Sequence, residues 1–287
     1  NNILESQGTS DYHAMQVKLD RRFSQGVQFG LSYTWSKLLT DASEDLFGGS
    51  PLNGVLQNQF DRRSLRAVSP NNPPHVVVFN YLLELPFGKG KRFLNQGGVV
   101  DKLVGGWQVG GVQRYQAGTP LPLFTTQTVQ FLDVIGISGN LRLNLTGQPL
   151  FTNNPETPGS NFGFVSLNRA GFAAPPNYEA VPTTDVTDSR YRAYYANPSL
   201  FLGTAPPILS NIPSDPYLSE NISVLKKTRI TETVTLELGA EAFNLFNRYR
   251  FFAPTTNLGD ANFGFQSVGT DTFYPPRNIQ LRARVIF

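Results

Sequence analysis

The chain has 287 residues, of which 16% are charged, and a formal net charge of +3, a balance that argues against a nucleic-acid binder, which would show clustered positive charge. It contains no cysteine and only two histidines, which excludes disulfide scaffolds, thiolate metal sites and cysteine nucleophiles. Aromatic residues make up 12%, there are 26 glycines and 21 prolines, and no apolar run reaches the length of about 18 residues that a transmembrane helix needs. These features leave an extracellular β protein or an outer-membrane β-barrel.

Seven segments in which apolar and polar residues alternate predict β-strands, since a period of two puts one kind of residue on each face. The strongest alternation lies near the two ends of the chain, and several segments reach about ten residues, which lets a tilted strand cross a bilayer. In chain order the predicted strands cover residues 15–20, 27–36, 74–87, 103–115, 217–229, 234–242 and 278–287.

The connections between these strands alternate between short and long. Short turns are expected at Ser24-Gln25-Gly26 and near Thr231-Glu232, and a modest basic segment covers residues 88–102. Long connections cover residues 40–73, 117–216 and 247–276. This asymmetry is typical of an antiparallel up-and-down transmembrane barrel with short periplasmic turns and long extracellular loops. The longest such loop is then residues 117–216.

The number of strands indicates a partial barrel. Bacterial single-chain barrels have even strand counts, with both ends of the chain usually on the periplasmic side. With Phe287 on that side, seven strands place Asn1 on the loop side. We therefore expect residues 1–287 to be the C-terminal part of a larger barrel, with its first strands upstream.

Five blocks of sequence resemble the C-terminal barrel of Oar-like TonB-dependent outer-membrane receptors. The resemblance covers almost the whole chain, except for a variable stretch at about 125–214. The blocks are YTWSK (33–37), PHVVV (74–78) leading to ELPFGKGKRF (84–93), GGWQV (105–109) with GTP (118–120), RITE (229–232) running into EAFNLFN (241–247), and PRNIQL (276–281) ending at Phe287.

The resemblance implies a barrel of about 22 strands around an N-terminal plug, with the plug and the first strands outside this sequence. It implies energy-coupled uptake of an unknown substrate across the bacterial outer membrane, through a TonB-type protein that engages the plug. Other implied partners are outer-membrane lipid and the barrel-assembly machinery. The alternatives are a passive pore, a structural or adhesive barrel, and a soluble carbohydrate-binding β-sandwich. The sandwich predicts polar outward positions and short loops at both ends, which the sequence lacks.

Three groups of residues are candidates for functional roles. Charged residues on the polar faces would line a lumen, either as a solvated wall of mixed charge or in contact with a plug or substrate: Lys18, Glu84, Arg114, Glu237, Glu241, Arg282 and Arg284. Aromatic residues near strand ends would form an interfacial girdle, or the core of a sandwich: Phe23, Tyr33, Trp35, Phe87, Trp107 and Tyr115. Alternate residues of the last strand resemble a barrel-assembly signal: Leu281, Ala283, Val285 and Phe287.

No pattern of residues predicts catalysis, so neither enzyme activity nor a cofactor is expected. The stretch from Gly88 to Arg92 lacks the Ser or Thr and the helix of a phosphate-binding loop and is interpreted as a basic turn. His13 and His75 lie on different strands, so a metal site is not expected. Aromatic residues of the longest loop suit either ligand capture or packing within the loop: Tyr191, Tyr194, Tyr195 and Phe201.

Overall fold

Seven long antiparallel strands form the main sheet of the protein, seen here in a computed structural model. The structure describes residues 8–41, 61–126, 140–152, 163–175, 187, 189, 202–269 and 275–287. The strands follow one another in the sheet in sequence order, which confirms the predicted architecture. They are β1 (Ser10–Ser24), β2 (Val27–Thr40), β3 (His75–Glu84), β4 (Trp107–Gln116), β5 (Tyr217–Arg229), β6 (Thr235–Phe243) and β7 (Asn278–Ile286).

Three connections lie at one end of the sheet, which we name the turn end. Gln25 and Gly26 join β1 to β2, both with positive φ angles, 53° and 79°, as in the tight hairpin turns that match the twist of strands. Residues 230–234 join β5 to β6. The third connection, residues 85–106, contains the helix α1 (Val99–Val104), which the sequence did not predict. The strand predicted to begin at residue 103 begins instead at Trp107, because residues 103 and 104 belong to this helix. Among the described residues, no helix is long and apolar enough to cross a membrane.

The two faces of the sheet follow from its register, because directly paired residues of neighbouring strands point to the same side. Ser32 pairs with Lys18 and Val78, and Val78 pairs with Arg114. A depression of 440 Å³ on this polar side is lined by residues of β2 to β6. Because a single depression extends over five neighbouring strands, the sheet must be curved, with the polar side on the inside of the curve. We name the two sides the concave face and the outer face.

The sheet has two open edges. β1 pairs only with β2, and β7 pairs only with β6, among the residues that the structure describes. Every residue of β1 and β7 is exposed, because each edge strand lacks a neighbour on one side. The sheet is therefore an arc of a barrel wall and not a closed cylinder.

The long connections at the other end, the loop end, pack against one another. We name their described parts, residues 61–74, 117–126, 140–152, 163–175, 202–216 and 244–269, the loop cap. The cap contains the 3₁₀ helices Arg62–Leu65 and Arg169–Gly171 and several short strands, where the sequence had predicted only loops. These strands are Ala67–Val68, Pro120–Pro122, Phe124–Thr126, Asn140–Arg142, Asn144–Leu145, Gly163–Val165, Phe172–Ala173, Ile208–Pro213 and Phe265–Ser267.

A hydrophobic core joins the separate segments of the loop cap. Arg142 donates a hydrogen bond to Ser64 Oγ at 2.8 Å, and Arg169 Nη1 donates to Leu258 O at 2.7 Å, which ties the three long connections together. The core cluster combines residues from before β5 with residues from after β6: Leu121, Leu123, Leu143, Leu167, Phe172, Leu209, Ile212, Leu258 and Phe263. The longest connection is thus folded wherever it is described.

Candidate functional site

The concave face carries all seven residues that the sequence predicted for a lumen. Following the directly paired residues from strand to strand places all seven on the same side of the sheet, on five different strands. They are Lys18 on β1, Glu84 on β3, Arg114 on β4, Glu237 and Glu241 on β6, and Arg282 and Arg284 on β7. Whether they line a lumen in the whole protein stays a prediction.

A cluster of paired charges lies where β5, β6 and β7 adjoin. Arg282 lies 3.7 Å from Glu237 and 3.8 Å from Glu241, and Lys227 Nζ lies 3.6 Å from Glu237. Gly239 permits this arrangement, since a Cβ there would lie 2.7 Å from Arg282 Nε. The arginine therefore lies flat across the strand between the two carboxylates, and the cluster has nearly balanced charge.

The other carboxylates of the concave face also have cationic partners. Glu84 forms an ion pair with Lys91 at 2.8 Å and accepts a hydrogen bond from Gln108 at 3.1 Å. Lys18 pairs with Asp20 at 2.9 Å. These exposed pairs each contribute little to stability. Their effect is a wall that is polar and hydrated without a strong excess of either sign.

The depression between these charged groups is lined by small and amide side chains and, in equal number, by larger residues such as Leu82 and Val112. Asn80, Ser223 and Asn221 contribute polar atoms, while Gly110 leaves the backbone accessible. A Cβ at Gly110 would lie 2.9 Å from Ser223 Oγ. Such a surface can exchange hydrogen bonds with water, with a polar solute or with a second protein surface.

An arginine–tyrosine stack connects the concave face to the loop cap. The guanidinium groups of Arg250 and Arg114 lie 3.6 Å and 5.7 Å from the centroid of the Tyr217 ring. Arg250 Nη2 also donates to Leu218 O at 2.8 Å. Burial raises the pKa of the neighbouring Asp215 carboxyl above its usual range. Sequence reasoning found Arg114 but missed Arg250, since nothing in a long loop signals which residue folds back.

The aromatic residues predicted for a girdle form two groups at opposite ends of the sheet. Tyr33, Trp35 and Tyr115 lie toward the loop end, on the outer face. The Tyr33 hydroxyl lies 3.0 Å from His75 Nδ1. Near the turn end lie Phe23, Phe87 and Trp107. Rings at these two levels match the positions of interfacial belts, and their role stays a prediction.

Two charged residues of β5 lie on the outer face, which the sequence had suggested to be apolar. Glu220 is only 1% exposed and accepts hydrogen bonds from Arg248 Nε at 2.9 and 3.1 Å. Lys226 is 9% exposed and donates to Gly105 O at 2.6 Å. Arg248 neutralises Glu220, and the Gly105 carbonyl accepts a hydrogen bond from Lys226. Both residues lie near the ends of β5, where a charge on the lipid side costs the least free energy. In the sequence, this was indicated by the loss of regular alternation between apolar and polar residues in β5.

The residues of the proposed assembly signal lie on the free edge of the sheet. Leu281, Ala283 and Val285 alternate on the outer face of β7, where Leu281 is 81% exposed, and Phe287 follows the strand. Their recognition by assembly machinery stays a prediction. The aromatic residues Tyr191, Tyr194, Tyr195 and Phe201 lie outside the described residues.

A family model described as an outer membrane beta barrel domain matches residues 1–280. The chain belongs to this family of outer membrane β-barrels. A search of curated proteins gave no match. Membership places the protein in the bacterial outer membrane and identifies the apolar outer face of the sheet as the side toward lipid. The concave face is then the side toward the barrel interior.

Proposed function

We propose that the chain forms part of the barrel of a TonB-dependent receptor, which takes up a substrate across the outer membrane. The observation that carries the proposal is the lack of packing on the concave face: among the described residues, no buried hydrophobic side chain belongs to β1–β7. An eight-stranded barrel fills its interior with its own side chains, whereas barrels of about 22 strands hold a plug. The unfilled concave face supports a wide barrel.

The chemistry of the concave face also suits contact with a folded plug. Its carboxylates are paired, and amide and hydroxyl groups line part of the depression. A plug can form hydrogen bonds with such a wall and release them without leaving isolated charges, which would be costly. The blocks at residues 84–93 and 241–247 favour the receptor over a passive pore, because they resemble the TonB-dependent family.

The test measures whether access to the concave face depends on energy coupling. Ser223 lies in the depression, so Ser223→Cys in the intact protein, expressed in living cells, reports access of a water-soluble maleimide. Val224→Cys, the next residue along β5, is the matched control because it points to lipid. We expect labelling at 223 to be slow in cells that lack the TonB-type protein and faster when it is active.

A passive pore gives a different result in the same experiment. Its lumen is open to water, so labelling at 223 would proceed at the same rate with and without the TonB-type protein. That outcome would contradict the receptor and favour the pore. Labelling at 224 that equals labelling at 223 would instead show that the faces of β5 are assigned wrongly.

A further inference from the structure

The connection between β3 and β4 is unusual among the connections at the turn end. The other two consist of Gln25-Gly26 and residues 230–234, whereas this one covers residues 85–106 and contains α1. Periplasmic turns of outer-membrane barrels are short. A long, folded connection on that side is not needed to join two adjacent strands, so its structure calls for another explanation.

The helix α1 is attached to the rim of the outer face. Trp107 Nε1 donates to Leu103 O at 3.1 Å, Lys226 Nζ donates to Gly105 O at 2.6 Å, and Thr228 Oγ1 donates to Lys102 O at 3.5 Å. The three donors belong to the outer face of β4 and β5, because Lys226 pairs with both Trp107 and Leu238. The helix therefore lies on the lipid side of the barrel wall.

This attachment is built into the backbone and does not depend on long side chains alone. A Cβ at Gly88 would lie 2.7 Å from Gly105 Cα, and one at Gly106 would lie 2.0 Å from Lys227 O. Asp101 Oδ1 accepts a hydrogen bond from Lys89 N at 2.6 Å. The two ends of the connection are thus held in close contact, and these contacts hold α1 against β5.

The side of the connection that faces away from the wall is apolar. Val99 is 73% exposed and Leu103 is 66% exposed, and these residues share one side of α1 with Val100, since positions i, i+1 and i+4 lie together on a helix. Phe93 and Leu94 add exposed apolar surface nearby. In water the apolar surface of α1 would be unfavourable, but α1 lies against the outer face of β4 and β5 and so extends the lipid-facing surface of the strands.

Basic side chains flank this apolar surface. Lys89, Arg92 and Lys102 are all exposed. Within the part of the chain that the structure describes, none of the three lies within ion-pair distance of a carboxylate. The Arg92 guanidinium lies 5.3 Å from the centroid of the Phe93 ring. Apolar and basic groups side by side are typical of elements that lie in a membrane interface.

We propose that residues 87–103 form an interfacial anchor that binds phospholipids of the periplasmic leaflet. Val99, Val100 and Leu103 insert among the acyl chains, and Lys89, Arg92 and Lys102 bind lipid phosphate groups. The anchor fixes the depth of the turn end in the membrane. This role follows from family membership and from the position of α1 on the lipid side, and it does not depend on whether the barrel transports a substrate.

The test places an environment-sensitive fluorophore on the anchor. The 287 residues contain no cysteine, so Leu103→Cys in the intact protein provides a labelling site in this region, with Val99→Cys as a second site in case the first impairs folding. Glu232→Cys, in the turn between β5 and β6, is the matched control. The protein is reconstituted into vesicles of phosphatidylethanolamine and phosphatidylglycerol that contain a headgroup-proximal lipid quencher.

We expect the label at 103 or 99 to be quenched at least about twice as strongly as the label at 232, because only the anchor enters the lipid. The combined change Lys89→Gln, Arg92→Gln and Lys102→Gln should lower the amount of phosphatidylglycerol retained after detergent extraction by about twofold or more. Labels at 99 and 103 that remain in water as fully as 232 overturn the proposal. Cross-linking of these positions to a periplasmic protein instead of lipid overturns it as well.

Discussion

The sheet and the loop cap are stabilised by different means. All buried hydrophobic side chains among the described residues lie in the cap, and four of them, Leu141, Leu143, Leu167 and Ile212, are at most 1% exposed. Most apolar residues of the sheet lie on its outer face, where they meet lipid, and the apolar residues of its concave face, such as Val78 and Leu82, are not buried. The cap is therefore stabilised like a water-soluble domain, through burial of apolar surface. The sheet depends instead on its backbone hydrogen bonds, because the hydrocarbon of the membrane offers no other partners for the backbone groups.

The largest expected effect concerns the open edges of the sheet. In hydrocarbon each unpaired backbone group costs several kcal/mol, so two unpaired strand edges cost on the order of tens of kcal/mol. We expect the 287-residue chain, expressed alone, to oligomerise or aggregate through β1 and β7, which size-exclusion chromatography in detergent would show. A monodisperse, heat-resistant monomer would contradict this, and would mean that residues outside the described ranges supply further strands.

A substitution in the cap core tests the other half of the comparison. Leu143 is fully buried in the cluster that joins the segments of the cap, so Leu143→Ala should destabilise the cap by about 2–5 kcal/mol through lost contacts and a cavity. Protease digestion of intact cells should cut the cap while the barrel keeps its heat-modifiable mobility on gels. Leu19→Ala on the outer face is the control, because lipid refills the space. Simultaneous loss of cap and barrel would show that the two regions are not independent.

The outer face can be separated from the concave face by adjacent substitutions on β7. Leu281 points to lipid, so Leu281→Arg should destabilise the inserted protein by about 2–4 kcal/mol near the membrane midplane. Gln280→Arg should be tolerated, because Gln280 is paired with Glu241 on the concave face. Folding of the intact protein into bilayers measures both changes. Val285→Arg should also destabilise the inserted protein, and equal costs at 280 and 281 would contradict the assignment of the two faces.

The smallest effect is expected for the charge cluster of the concave face. Arg282 is about half exposed, whereas the Glu237 side chain, 3.7 Å away, is only 10% exposed. Because the arginine stays in contact with water, we expect the pair to lie near the upper end of the range of about 0.2–1 kcal/mol that exposed ion pairs contribute. A double-mutant cycle of Arg282→Gln and Glu237→Gln should therefore give a coupling energy below about 1 kcal/mol that falls with added salt. A larger coupling that does not change with salt would indicate that a plug or another protein surface excludes water from the cluster.

The strands of the sheet were predictable because their signal is local. Alternation in segments such as residues 27–36 and 278–287 fixes both the strand and its two faces, and short turns impose antiparallel neighbours. The prediction weakened at β5, where Glu220 and Lys226 interrupt the outer face. Each of these residues is satisfied by a partner from a different connection, Arg248 and Gly105, which no local pattern can reveal.

The loop cap and α1 were not predictable for the same physical reason. Leu121 and Leu258 belong to one core but are separated by two strands of the sheet, so their burial is decided by tertiary contacts and not by periodicity. The six residues of α1 are too few to show a helical period and are bounded by Gly98 and Gly105. The resemblance to a receptor family likewise indicated the barrel but was silent about what its long connections build.

The composition of the cap core dictates an order of assembly. Leu123 and Leu143 precede β5 in the chain, whereas Phe263 follows β6, and Ser166 Oγ donates to Gly264 O across 98 positions of sequence. Contacts at such separation form late, after local hairpins. Since the cap core combines segments on either side of the β5–β6 hairpin, it is complete only once that hairpin has formed and its two flanking connections meet. The cap is therefore completed only after β5 and β6 are in place, although most of its described residues precede β5 in the chain.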